Sequence, residues 1–173
     1  YPAPDGGTEF VFEADEELEL TGPAALRLWV SCTAPDLDVF VHIHQVGPDG
    51  QEYYGTGPQG APLPLAMGWL RASHRELDPE RSLPYRPYHR HDRARPLEQT
   101  GPVALDIEIW PTSIVLPAGH RLVVRIRAGD GDLGIVAHSE RPGPAPGGPP
   151  ATATLHTGGD QDSYLLLPVI PGD

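Results

Sequence analysis

The hydrophobic positions alternate with polar ones in short runs, and hardly anywhere recur at helical spacing. Leu26, Leu28, Val30 and Cys32 share one face of a run from Ala25 to Cys32, because strand side chains repeat every two residues. Leu37 to Val46 repeats the pattern, with Val39, Val41 and Ile43 facing one way and Asp38, Phe40, His42 and His44 the other. Val103, Leu105, Ile107 and Ile109 mark a strand that Pro111 is expected to end, and Ser113 to Leu116 then forms a separate run. Leu122, Val124 and Ile126 lie on one face of the strongest run, His120 to Ala128. Shorter strands are expected at Thr8–Phe12, Glu17–Leu20, Gln51–Thr56, Leu65–Ala72, Thr152–His156 and Ser163–Val169, with a bulge at Gly68.

Turn chemistry separates these runs. Gly47-Pro48-Asp49-Gly50 predicts a hairpin, since Pro presets φ and Gly supplies positive φ. Pro117-Ala118-Gly119 and Gly158-Gly159-Asp160 read as two further turns. Ser73 and Glu76 have the spacing of a capping box over one helical turn. The stretch Tyr85 to Arg95, bounded by Pro84 and Pro96, predicts an extended excursion over the surface. Pro142 to Pro150 contains only Pro, Gly and Ala and reads as a loop. Nine or ten short strands without a long amphipathic helix predict an all-β sandwich or jelly roll.

Length and composition narrow the picture. The 173 residues fit a single domain over 1–173. The 22 Pro and 20 Gly fall mostly between the apolar runs. A net charge of −12 with only 12 basic residues argues against nucleic acid and anionic membranes as partners. No apolar run is long enough for a transmembrane helix. The opening Tyr1-Pro2-Ala3-Pro4 carries neither Met nor a leader pattern, so the chain is expected to be cut from a longer protein. A single Cys32 in an apolar run fits a small core residue and a reducing, cytoplasmic setting.

Candidate chemistry is sparse. None of the serines stands in G-x-S-x-G, the nucleophile elbow of α/β-hydrolases. Cys32 on an apolar face is a poor nucleophile. His42 with His44, and His89 with His91, could each begin a metal site, but the simpler reading is a solvated or interfacial pair. Asp36, Asp38, Asp49, Asp130 and Asp132 could supply oxygen to calcium, yet turn chemistry explains them as well. Trp29, Trp69 and Trp110 could line a sugar platform. No cofactor or metal is therefore expected. The distinctive cluster is basic and aromatic: His74, Arg75, Arg81, Arg86, His89, Arg90, His91, Arg93 and Arg95, with Tyr85 and Tyr88. Arg and Tyr are enriched in interface cores.

Several strings in order carry a resemblance: Leu70-Arg71-Ala72-Ser73-His74-Arg75, then Asp106-Ile107-Glu108-Ile109-Trp110-Pro111-Thr112-Ser113, then Gly119-His120-Arg121-Leu122, and the end Leu165 to Pro171. Together with Thr21-Gly22-Pro23, Asp36, Asp38 and Pro48-Asp49-Gly50, the chain resembles the C-terminal domain of the Xaa-Pro dipeptidyl-peptidase and cocaine-esterase type of serine hydrolase, over nearly its whole length. The resemblance implies a jelly-roll sandwich similar to galactose-binding domains, packed on an α/β-hydrolase domain of the same parent chain. It implies that the catalytic triad lies in that other domain, so no catalytic residue is assigned here. It implies a non-catalytic role, walling the substrate cleft of a dipeptidyl-peptidase or esterase, and admits a homo-oligomer. Arg71, Arg75, Tyr85, Tyr88, His89 and His91 are the candidate domain-interface or cleft residues, with Asp36 or Asp38 as expected partners of the two arginines. The alternative is a free-standing β-sandwich module that binds carbohydrate or another small ligand.

Overall fold

Twelve strands and one 3-10 turn account for the regular structure among the described residues, which are 7–57, 60–98, 101–129 and 151–172 of this computed structural model. The Asp130-Gly131-Asp132 and Pro142–Pro150 strings lie outside them.

The strands are β1 (Thr8–Glu13), β2 (Leu18–Cys32), β3 (Asp38–Val46), β4 (Glu52–Tyr53), β5 (Gly55–Thr56), β6 (Pro62–Leu63), β7 (Ala66–Arg71), β8 (Val103–Leu116), β9 (Arg121–Arg127), β10 (Ala153–His156), β11 (Tyr164–Leu166) and β12 (Val169–Ile170). All pairings are antiparallel. In the first sheet β9 lies between β1 and β3, and the far side of β3 is shared by β4 and β7. In the second, β2 pairs with β8 on one side and with β10, β11 and β12 in succession on the other. The two sheets form a β-sandwich around one apolar core.

That core is the alternation predicted from the sequence. Leu26, Leu28 and Val30 of β2 meet Leu105, Ile107 and Ile109 of β8, with Val39, Val41 and Ile43 of β3 and Leu122, Val124 and Ile126 of β9 on the facing sheet. Cys32 packs at its margin, partly buried.

Four expectations need correction. First, β2 and β8 are each continuous. β8 runs through Pro111, and β2 joins the two runs read as separate. The register shifts between Gly22 and Ala24, so Trp110 and Pro111 stand opposite the single Pro23. Both prolines lack an N–H, and at a bulge neither deprives the ladder of a bond it would otherwise make. Gly22 sits at φ 137°, which a side chain would resist. Second, the return strand after the Gly47–Gly50 hairpin is only β4; Gly55–Thr56 leaves β3 and pairs with Pro62–Leu63. Third, Ser163–Val169 divides into β11 and β12. Fourth, β7 holds its register against β3 without a bulge at Gly68.

Gly68 has another reason to be glycine. A Cβ there would stand 2.2 Å from the backbone oxygen of Glu108 in β8. At this point the edges of the two sheets touch backbone to backbone. The Thr112 hydroxyl donates across the same edge to the Leu65 carbonyl at 3.0 Å.

Gly68→Ala is expected to destabilise the fold by about 2–4 kcal/mol, because backbone on one side and a paired strand on the other leave no room to yield. Urea denaturation of the variant checks this; a loss below about 0.5 kcal/mol would show that the sheet edge adapts.

Candidate functional site

The excursion after β7 is a finger that closes on itself. The chain leaves through a 3-10 turn, Ala72–His74. Asp36 fixes that turn, its Oδ1 accepting the N–H groups of Ser73 and Leu37, each at 2.9 Å. The outgoing and returning arms then bond each other rung by rung. Arg95 N–H donates to the Ser73 carbonyl at 2.7 Å, Arg90 N–H to Glu76 at 3.0 Å and Asp78 N–H to Tyr88 at 2.8 Å. At the tip, Leu83 and Arg86 exchange both backbone bonds, at 3.0 and 2.9 Å, around Pro84-Tyr85. The prolines exclude a regular ladder, as expected, but the surface excursion is laced into a hairpin rather than simply extended.

Side chains finish the lacing. The Ser82 hydroxyl accepts from Tyr88 N–H at 3.0 Å and donates to the Tyr88 carbonyl at 3.2 Å. Arg81 lies over the Tyr88 ring, its Cζ 3.7 Å from the centroid, a cation–π contact. At the root, Arg75 donates to the carbonyls of Ala72 and Arg95 at 3.0 and 2.5 Å. Glu76 receives Arg95 in close contact and Arg93 at 3.8 Å. Leu97 then re-enters the core, its N–H bonded to the Pro35 carbonyl at 2.6 Å.

The six candidate residues therefore divide. Arg71 makes the expected two-pronged pair with Asp38, Nε to Oδ1 at 2.8 Å and Nη2 to Oδ2 at 3.1 Å, and so ties the end of β7 to the start of β3. Such paired geometry is the strong form of this contact. Arg75 pairs with neither Asp36 nor Asp38: it binds carbonyls, and Asp36 is used by backbone N–H groups. Tyr85 is exposed at the tip, and Tyr88 lies on the finger's flank. His89 and His91 meet at the root with His74, with ring centroids 5.8 Å apart for His89–His91 and 5.3 Å for His74–His91. The capping box does not form, because Ser73 is buried without capping the turn and Glu76 turns to the arginines. The lacing role of Ser82 was missed; its only signal was a small polar residue beside a Pro-flanked turn.

His42 and His44 are not the solvated or interfacial pair expected. They are buried on the outer face of the first sheet, with rings 6.1 Å apart. Glu52 Oε1 lies 2.5 Å from His44 Nδ1. Arg125 holds Glu52 with two bonds, at 2.7 and 3.2 Å, and Glu9 with a third at 2.6 Å. Burial, then the nearby Arg125 charge, pushes the His44 pKa down to about 4. Hydrogen bonds from Arg125 hold Glu52 below the usual carboxylate range against the opposing effect of burial. Among the described residues no three His, Cys, Asp or Glu side chains are grouped to hold a metal ion. Trp69 and Trp110 meet edge to face at the Gly68 crossing, centroids 5.1 Å apart and planes at 60°. Trp29, several rungs along β2 from that crossing, is opposite Ala104 and His156. The three tryptophans thus form no common flat platform for a sugar.

Residues 3–166 match the family of the X-Pro dipeptidyl-peptidase C-terminal non-catalytic domain. The Putative serine esterase of Mycobacterium bovis is 32% identical over 121 residues, covering 67% of this chain and 18% of that protein. A CocE/NonD family hydrolase from Staphylococcus aureus superposes with a TM-score of 0.85 at 28% identity, covering 98% of this chain and 31% of that one. An alpha-amino acid ester hydrolase shares the fold, with a TM-score of 0.66 at 22% identity over 95% of this chain and 25% of its own. The chain thus spans between 18% and 31% of the length of these relatives.

The His44 arrangement gives a pH dependence. The folded pKa lies below the unfolded value of 6.5, so its contribution to stability is present above pH 6.5 and is lost as pH falls towards about 4. Loss of up to about 3 kcal/mol is expected over that window, and His44→Gln should flatten it. Urea midpoints measured across the window decide; an unchanged slope in the variant would assign the effect elsewhere.

Proposed function

Since the chain belongs to the family of X-Pro dipeptidyl-peptidase C-terminal non-catalytic domains, we propose that it serves a longer serine hydrolase as an accessory domain, packing on an α/β-hydrolase catalytic domain and helping to wall its substrate cleft. The finger carries this reading. Leu83, Tyr85 and Tyr88 are 40%, 46% and 39% exposed, yet backbone and side-chain bonds fix the segment that displays them. A rigid, aromatic projection is suited to contact, because little conformational entropy remains to be lost on docking. Six of the twelve basic residues lie between Arg75 and Arg95, in a chain of net charge −12. The surface best matched to it is therefore acidic with an apolar centre. In this reading the tip faces the catalytic domain or the mouth of its cleft, while Arg71 and Arg75 set the finger's angle from below.

The relatives add weight to the hydrolase assignment: one is named a serine esterase and one a CocE/NonD hydrolase. The chemistry of the parent is a dipeptidyl-peptidase or esterase activity, with the nucleophile supplied by the other domain.

Two measurements test this. The 173-residue chain alone should neither turn over a proline dipeptide anilide or short-chain aryl ester nor take up a fluorophosphonate label; stoichiometric labelling would mean that it contains a nucleophile of its own. In the complete hydrolase, Tyr85→Ala with Tyr88→Ala should lower kcat/KM or weaken association of the two domains by about tenfold or more, as buried aromatic anchors do. Unchanged kinetics together with unchanged association would remove the finger from the contact.

A further inference from the structure

We propose that His89, packed against His91 and His74 at the finger's root, is a proton-operated latch that holds the finger closed on the sandwich when neutral and loosens it on gaining a proton. This deepens the accessory-domain reading by assigning regulation to the finger, but the latch belongs to the chain itself and is tested without a partner.

The three rings come from the two pieces of chain that meet at the root. His74 ends the 3-10 turn, and His89 sits on the returning arm, bridged to Leu77 of the outgoing one. His91 follows at φ 51°, the one non-glycine residue with positive φ among those described. That backbone setting is uncommon for a side-chain-bearing residue and marks a position held by its surroundings. The His89 ring also bonds the backbone of Asp106 in β8, which joins the finger to the second sheet. His74 Nδ1 and His89 Nε2 are buried with no hydrogen-bond partner among the described residues. A neutral ring tolerates a bare nitrogen at modest cost, whereas a protonated one must find an acceptor.

The surroundings supply few. Of the carboxylates at the root, Glu76 is occupied by Arg95 and Arg93, and Asp106 by Arg27 at 3.1 Å. Arg75 points its guanidinium into the same root, Arg90 is adjacent on the returning arm, and Asp92 lies exposed beside His91. A proton on His89 would thus enter a site already rich in guanidinium, with the His91 ring 5.8 Å away. Burial, reinforced by the His91 charge, accordingly holds the His89 pKa below its ordinary value. The sign is then fixed: the closed finger binds protons less readily than the open one, so closure is favoured above the ordinary imidazole range and weakens as pH falls through it.

Hydrogen exchange resolved to single amides tests the latch. The readout is protection, corrected for intrinsic rate, at the N–H groups of Asp78, Leu83, Arg86, Arg90 and Arg95, against core amides of β2 and β8. From about pH 7.5 to about pH 5.5 the finger should lose at least about threefold protection relative to the core. His89→Gln should keep the finger protected at both values. His91→Asn, which suits a left-handed backbone and removes the imidazole beside His89, serves should the first variant fold poorly and should show a smaller loss than the native chain. Constant finger protection in the native chain, or an equal loss in the variants, would overturn the latch. Neither result bears on docking, which the tyrosine substitutions decide.

Discussion

The ladder between β2 and β8 is the constraint on which the rest depends. Its 15 and 14 residues make these the longest strands of the fold, and they run side by side from one end of the sandwich to the other. Every partner on the far side of β2 is a short piece, β10, β11 or β12, that copies its register from it. The ladder survives two prolines only because they oppose each other at one irregularity. A proline at one of the regularly paired positions would leave a ladder carbonyl without a donor. The far edge of β8 then fixes the first sheet through the Gly68 crossing, where no side chain fits.

From that frame the finger takes its position. It leaves β7 beyond Arg71 and returns to the start of β8, so the two strands that meet at the closed edge also anchor its root. The Arg71–Asp38 pair and the Asp36 side chain fix the exit, and Leu97 plugs the return into the core. Between those anchors, hardly any apolar burial supports the segment; backbone rungs, Ser82, Arg75 and Glu76 do so. Segments held in this way open locally at lower cost than strands of the core. A set of imidazoles at the root is therefore able to act on the finger without unfolding the sandwich.

The core was legible because it depends on a period of two. Val39, Val41 and Ile43, or Leu122, Val124 and Ile126, declare their face without reference to anything distant. The candidate basic and aromatic cluster was legible as composition, and it does form one projection. What lay hidden was set by tertiary contact. Pro111 reads locally as a stop, and only the opposing Pro23 makes it part of a strand. Gly68 reads as a bulge, and only the approach of Glu108 explains it. His42 and His44 read as polar positions on an outward face, until Glu52 of the hairpin's return strand and Arg125, distant in sequence, enclose them. Arg75 looked like a salt-bridge donor, yet the carbonyls of its own loop lay nearer than any free carboxylate.

Charge is distributed along the same axis. The turn between β1 and β2 carries Asp15, Glu16 and Glu17, flanked by Glu13 and Glu19 in the strands, all exposed. That turn is bonded to the one between β8 and β9, through Ala14 and His120 at 2.9 Å. Both turns lie at the end of the strands opposite the finger, since β8 begins at the finger and finishes at Leu116 beside Leu18. The sandwich thus carries a run of acids at one end and half of its arginines on a projection at the other. Exposed charges of this kind add little to stability, but a separation of sign along the molecule orients it in the field of a charged neighbour. An acidic surface would draw the finger end and repel the β1–β2 turn, so the same asymmetry that selects the contact also disfavours the reversed approach.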